Sequence, residues 1–198
     1  LYFQLPLTLQ IPPMRLFSGI IVLTVFIACK SSPEPVNIQT IPQANKGPLD
    51  LNEYPYAVPL KDPDNKIFTS TEIFPKADKP TVVLFWLTTC KPCTRELTAI
   101  QQNFDTWQRE VPFHLVALSE DHVDAYQAFV SRVKKEQWPF DAYMDMERRF
   151  QDLLPGNLNG LPQTFIFDKH GNLTWKKRGF LPGDEAQYLG KIKEAAGS

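Results

Sequence analysis

The chain is short of the features that would place it quickly. Lysine and arginine number 21 against 22 aspartate and glutamate, a formal net charge of −1, so there is no electrostatic footprint for nucleic acid. The basic runs Lys134-Lys135 and Lys176-Lys177-Arg178 read as solvated faces. No internal repeat is present, and 198 residues leave no room for a second full domain. The longest apolar run, Leu16–Ala28, is shorter than the roughly 20 residues of a comfortable membrane span. Histidine is scarce too: His114, His122 and His170 stand singly, which does not suit the paired spacing of a zinc site.

Cysteine is almost as rare, and its three occurrences carry most of the information. Cys29 closes the apolar run, and Cys90 and Cys93 sit together in FWLTTCKPC. Two cysteines with two residues between them can ligate zinc, staple a loop or exchange electrons. Zinc wants four ligands, and no second cysteine pair or close histidine pair supplies them. A structural disulfide here would close only a tiny loop, where loop-closure stabilisation is small. A redox pair is the reading that remains.

The first third of the chain reads as targeting and tether. Leu1–Gln4 looks like the remnant of a cleavable tag, and residues 1–13 are set aside. Residues 14–28 have the form of a signal peptide, with Arg15 as a minimal basic region before the apolar run. Phe26-Ile27-Ala28-Cys29 resembles a bacterial lipobox, in which the cysteine is lipidated; Phe26 departs from the leucine preferred there. On that resemblance Cys29 is a lipidation site, residues 29–55 form a proline-rich flexible linker, and the domain is exported and membrane-anchored.

Within residues 56–198 the hydrophobic periods alternate. Lys61–Ser70 holds a turn-forming Asp-Pro-Asp-Asn and reads as a hairpin. Thr81–Leu87 is a buried strand running straight to the cysteines. Leu97, Ile100, Phe104 and Trp107 then mark a helix with Pro92 near its first turn. Phe113–Leu118 is a second core strand. Asp121 is placed to cap a helix striped by Tyr126, Phe129, Val130 and Val133. Phe140–Met144 is a third strand, followed by a helix through Phe150, Leu153 and Leu154. Thr164–Phe167 and Leu173–Lys176 read as an antiparallel hairpin turned at Gly171, before a helix over about Asp184–Ala196. The expected fold class is α/β, a central mixed sheet with helices on both faces.

At the start of its helix, Cys90 faces unpaired N–H groups and the positive end of the helix dipole, which stabilise a thiolate. Lys91 adds a positive charge beside it. Cys93 lies a turn deeper, placed to attack a mixed disulfide at Cys90. Cys90 is therefore the expected attacking residue and Cys93 the resolving one.

FWLTTCKPC with Glu96, together with LPQTFIFDKHGN from Leu161 to Asn172, resembles the membrane-tethered, extracytoplasmic thioredoxin-like oxidoreductases related to cytochrome c maturation. The resemblance spans roughly Tyr56–Ala196 and implies a thioredoxin-like fold with an extra helix inserted after the second core strand. It also implies a cis Leu161–Pro162 bond facing the cysteines, with the Leu161 backbone available to pair with a substrate chain. Glu96 matches a family glutamate expected to move the proton of Cys93; the alternative reading is a surface glutamate paired with Arg95 or a neighbouring helix residue. Trp86, Thr89, Lys91 and Pro92 fall where the family contacts substrate, although Thr89 replaces the usual tryptophan. No cofactor and no metal are implied. The implied partners are exported proteins bearing disulfides and a membrane thiol reductase as electron donor, acting on a periplasm-facing monomer. Alternatives on the same fold are a copper-delivering protein, for which the cysteine spacing is wrong, and a non-enzymatic surface module.

Overall fold

The computed structural model describes residues 57–74, 79–153 and 158–198. The signal-like segment 14–28, Cys29, the linker 29–55 and Leu154 lie outside the described residues. Among the described residues no helix is long and apolar enough to cross a membrane.

The expected hairpin forms from β1 (Pro59–Lys61) and β2 (Ile67–Thr69), paired antiparallel. Asp62 closes its turn by accepting from the amides of Asp64 and Lys66, at 2.9 and 2.8 Å. The one-turn helix α1 (Ser70–Ile73) follows, started by a capping box between Thr69 and Glu72.

Three strands then run parallel: β3 (Thr81–Trp86), β4 (His114–Ser119) and β5 (Asp141–Asp145). Every residue of β3 is buried, as its unbroken apolar run requires of a central strand. The crossovers are α2 (Lys91–Glu110) between β3 and β4, and α3 (Tyr126–Glu136) between β4 and β5. A short helix α4 (Phe150–Leu153) leads on towards β6 (Gln163–Phe167) and β7 (Leu173–Arg178), and α5 (Ala186–Gly197) ends the chain. β6 pairs antiparallel with β3 on one side and β7 on the other. The sheet order is β2-β1-β5-β4-β3-β6-β7.

Alternation along β3 divides the core. Val82, Leu84 and Trp86 pack beneath Leu97, Ile100 and Trp107 of α2, Phe129 of α3, and Tyr188 and Ile192 of α5. Val83 and Phe85 face the other way, against Phe74 and Phe150. The sheet is thus covered on both faces, and α3 is the helix inserted after the second core strand.

One local expectation fails. Asp121 does not cap α3: a 3-10 turn, Val123–Ala125, intervenes, and Ala125 stands at the N-cap without a side-chain bond. The Asp121 carboxylate is committed elsewhere, to the segment that precedes Cys90. At the opposite end of the sheet Gly171 turns the β6–β7 hairpin at φ 88°, while Asp168 accepts from the amides of His170 and Asn172.

Candidate functional site

β3 delivers the chain to the C-terminal edge of the parallel strands, and Leu87–Thr89 turns it into α2; the Cys90 amide closes that turn on the Leu87 carbonyl at 3.1 Å. Cys90 is the N-cap of α2, with extended φ −81° and ψ 104°, and Pro92 occupies the first turn. The Cys93 amide donates to Cys90 Sγ at 3.2 Å. That bond and the helix dipole both favour negative charge on the Cys90 sulfur.

Cys90 and Cys93 are joined as a disulfide with their Cα atoms 5.3 Å apart. They differ in access. Cys90 is half-buried, whereas Cys93 is fully enclosed among the apolar residues beneath α2.

The Leu161–Pro162 peptide is cis, and the Leu161 carbonyl oxygen lies 3.8 Å from Cys90 Sγ. Pro162 is buried and Leu161 half-buried. Thr89 and Lys91 are exposed beside the disulfide, and Pro92 is partly covered. Trp86 is the exception among the residues expected to contact substrate. It is 1 % exposed, lies against Phe129 and Trp138, and its Nε1 has no hydrogen-bond partner among the described residues. Its place on the inward-facing phase of β3 makes it a core residue instead.

Glu96 is buried under the same helix, one turn beyond Cys93. Its Oε1 accepts from Thr164 Oγ1 of β6 at 2.7 Å and from the Tyr188 hydroxyl of α5. Its Oε2 has no partner among the described residues. Burial pushes its pKa up to about 7, although both hydrogen bonds and the Lys177 charge pull the other way. A carboxyl group near neutrality beside a buried thiol can take up or return that thiol's proton. Tyr188, itself raised by burial and by the Glu96 charge, stays a donor.

Sequence reasoning had no hold on Tyr188 or Thr164, which meet Glu96 only through the tertiary fold. It also missed what holds the loop before Cys90. Thr88 donates through its amide and its Oγ1 to the two carboxylate oxygens of Asp121, each at 2.8 Å. Ser119 Oγ donates to Asp121 Oδ2 at 2.7 Å, and Arg132 of α3 donates to the Thr88 carbonyl at 3.3 Å. The inserted helix and the end of β4 together fix the approach to the disulfide.

Next to Asp121, Glu120 is wholly buried, and neither carboxylate oxygen has a partner among the described residues. Burial, and secondarily the nearby Asp145, push its pKa up to about 9, with Arg148 opposing. It is a neutral acid at pH 7. Among the described residues no group of three or more His, Cys, Asp and Glu could hold a metal ion.

Comparison with known proteins agrees with this architecture. Residues 55–176 match the AhpC/TSA family. An uncharacterized thioredoxin-like protein from Porphyromonas gingivalis is similar at 30% identity and TM-score 0.63, over 74% of this chain and 95% of that one. A putative thioredoxin from Neisseria meningitidis gives 20% identity and TM-score 0.58, over 74% and 91%. A thiol:disulfide interchange protein of the thioredoxin family from Chlorobium tepidum gives 22% and 0.53, over 73% and 99%. No curated protein matches the chain by sequence. The fold is thioredoxin-like.

Proposed function

Since the chain belongs to the AhpC/TSA family and carries its close cysteine pair on a thioredoxin-like fold, we propose that it is a thiol-disulfide oxidoreductase working through Cys90 and Cys93, in the direction of disulfide reduction. The observation that carries this reading is the unequal burial of the two sulfurs around one helix N-terminus. A partner can reach Cys90, and only Cys90 can then reach Cys93.

In the reducing direction the Cys90 thiolate attacks one sulfur of a target disulfide. The target's S–S bond breaks, its second sulfur leaves as a thiolate and takes up a proton, and a mixed disulfide remains at Cys90. Glu96 accepts the Cys93 proton. The Cys93 thiolate then attacks Cys90 Sγ, releasing the target's remaining sulfur, which is protonated in turn. Two electrons and two protons pass to the target, and the Cys90–Cys93 disulfide is the oxidised product. A dithiol donor must supply two electrons to restore it.

Leu161 supports the docking step. Its carbonyl, beside Cys90 Sγ, can accept from a backbone amide of an extended target chain. Thr89, Lys91 and Pro92 would line the approach. With the lipobox-like Cys29, the reading places the enzyme outside the cytoplasm as a membrane-anchored protein acting on exported substrates such as apocytochromes, with a membrane thiol reductase as its donor.

The decisive measurement is the equilibrium potential of the Cys90–Cys93 couple in a thiol buffer of known poise. A value at or below about −250 mV agrees with a reductant. A value at or above about −180 mV marks an oxidase or isomerase and removes the cytochrome maturation role.

A further inference from the structure

The outer face of α2 has an unusual charge pattern. Helix N-termini favour acidic side chains, because these oppose the positive end of the dipole. α2 has no acid in its first turn. Its only carboxylate before Asp105 is Glu96, which is buried against the core rather than displayed. The solvent face carries Lys91 and Arg95 instead, both exposed, and among the described residues neither forms an ion pair. Elsewhere Lys177 is matched with Asp184, Lys191 with Glu194 and Lys193 with Glu110, whereas Lys66, Lys79, Lys135, Lys169 and Lys176 form no ion pair among the described residues.

These two cations line an open groove of about 630 Å³ along the N-terminal half of α2. Arg132 of α3 also lines it but is already paired with Glu136 at 3.3 Å, and Phe180 and Pro182 from the loop after β7 form an apolar part of the wall. Leu181, between them in sequence, is 70% exposed. Glu185 is the lone acid of the lining, and its carboxylate already accepts from the Gly183 amide at 2.8 Å. The groove begins at the residue after Cys90. A cationic surface here works against its own helix dipole; Lys91 has a return in favouring the Cys90 thiolate, whereas Arg95 has no ion pair or hydrogen bond among the described residues to offset its cost.

We infer that this groove receives an acidic polypeptide segment of the redox partner, with Asp or Glu side chains flanking the partner's reacting cysteine. The inference rests on the thiol-disulfide reading above and adds the chemical class of the partner. Lys91 and Arg95 meet the partner's carboxylates, and Leu181 and Pro182 meet an apolar side chain of the same segment. The mixed disulfide at Cys90 then holds what the groove has steered into place.

The test uses the full-length chain in its reduced form and three peptide disulfides of equal length, whose flanking residues are acidic, amide or lysine. At low salt the acidic peptide should be reduced about tenfold faster than the lysine peptide. That ratio should collapse towards one in about 1 M salt, where the screening length is about 3 Å. Arg95→Glu, an exposed change one turn beyond the disulfide, should invert the ratio. A wild-type ratio near one overturns the inference, as does a ratio that survives Arg95→Glu. A variant that slows all three peptides equally also overturns it, because the cation would then be tuning Cys90 and not reading the partner. If the wild type reduces none of the peptides, the thiol-disulfide reading itself falls and this inference falls with it.

Discussion

Thr164 Oγ1 donates to Glu96 Oε1 at 2.7 Å, joining the strand that follows Pro162 to the helix that carries both cysteines. Among the described residues the other oxygen, Glu96 Oε2, has no partner and is open to exchange a proton, on a group whose pKa burial lifts to about 7.

The first prediction concerns that proton. Release of the mixed disulfide should accelerate as pH rises through about 7, where the Glu96 carboxylate becomes available as a base. Glu96→Gln should slow the release step by roughly 10²-fold and remove this inflection, while leaving attack by Cys90 close to the wild-type rate. Stopped-flow mixing with a fluorescent disulfide separates the two steps. A wild-type pH profile retained by the glutamine variant would take the proton-transfer role away from Glu96.

The two cysteines should behave differently when changed. Cys93→Ser should accumulate mixed disulfides through Cys90, detectable as higher-mass adducts on non-reducing gels. Cys90→Ser should trap nothing, because Cys93 is enclosed by the core. Equal trapping by both variants would contradict the division of labour.

Asp121 should matter to both stability and exchange. Asp121→Ala removes the acceptor of the part-buried Thr88 amide and hydroxyl and of the buried Ser119 Oγ, leaving these donors unpaired. A loss of about 1–3 kcal/mol in denaturant unfolding is expected. Exchange should slow in the folded variant, since the segment before Cys90 is no longer pinned. An unchanged exchange rate would reduce Asp121 to a stabilising role.

Much of this could be read before any coordinates. TVVLFWL fixes a central strand because nothing in it tolerates water on either face, and the apolar stripe from Leu97 to Trp107 fixes α2 on that strand. Cys90, Cys93 and Glu96 share that helix, so their spacing alone brings them together. The partners of Glu96 could not be read in the same way. Thr164 and Tyr188 lie 68 and 92 residues away, and only the strand order brings them in. Asp121 misled for a related reason: a carboxylate ahead of a helical stripe resembles a cap, but Thr88 offered it two donors at once. Trp86 misled because an aromatic near a site and an aromatic in a core look alike in one dimension.

Glu120 should make the fold less stable as pH rises. Its pKa is about 9 when folded against an ordinary value of 4.5, so between those values the native state holds a proton that the unfolded state has lost. The contribution of the neutral acid is complete below pH 4.5 and is lost as pH climbs through about 9. Glu96 adds to the decline between 4.5 and about 7. Glu120→Gln should flatten the upper part of the curve, measured as denaturant midpoints at a series of pH values. A variant with the wild-type slope would show that Glu120 is not the titrating group.

Trp86→Phe should cost stability and leave turnover unchanged. The indole N–H has no partner among the described residues to lose, and a phenyl ring keeps part of the contact with Phe129 and Trp138. A cost of about 1–3 kcal/mol is expected from the buried volume lost, with no change in turnover of a peptide disulfide. A large loss of turnover at unchanged stability would return Trp86 to the substrate surface.

The enclosure of Cys93 bears on how the protein wears out. Thiolates exposed to peroxide pass through sulfenic acid to sulfinic and sulfonic acids, and the later steps are not reversed by thiols. With Cys93 sealed beneath α2, oxidative attack on this pair starts at Cys90. A sulfenic acid formed there has a thiol one turn away to condense with, giving back the Cys90–Cys93 disulfide and water. The pair then re-enters its cycle, so the same burial that orders the exchange also guards the enzyme against irreversible damage.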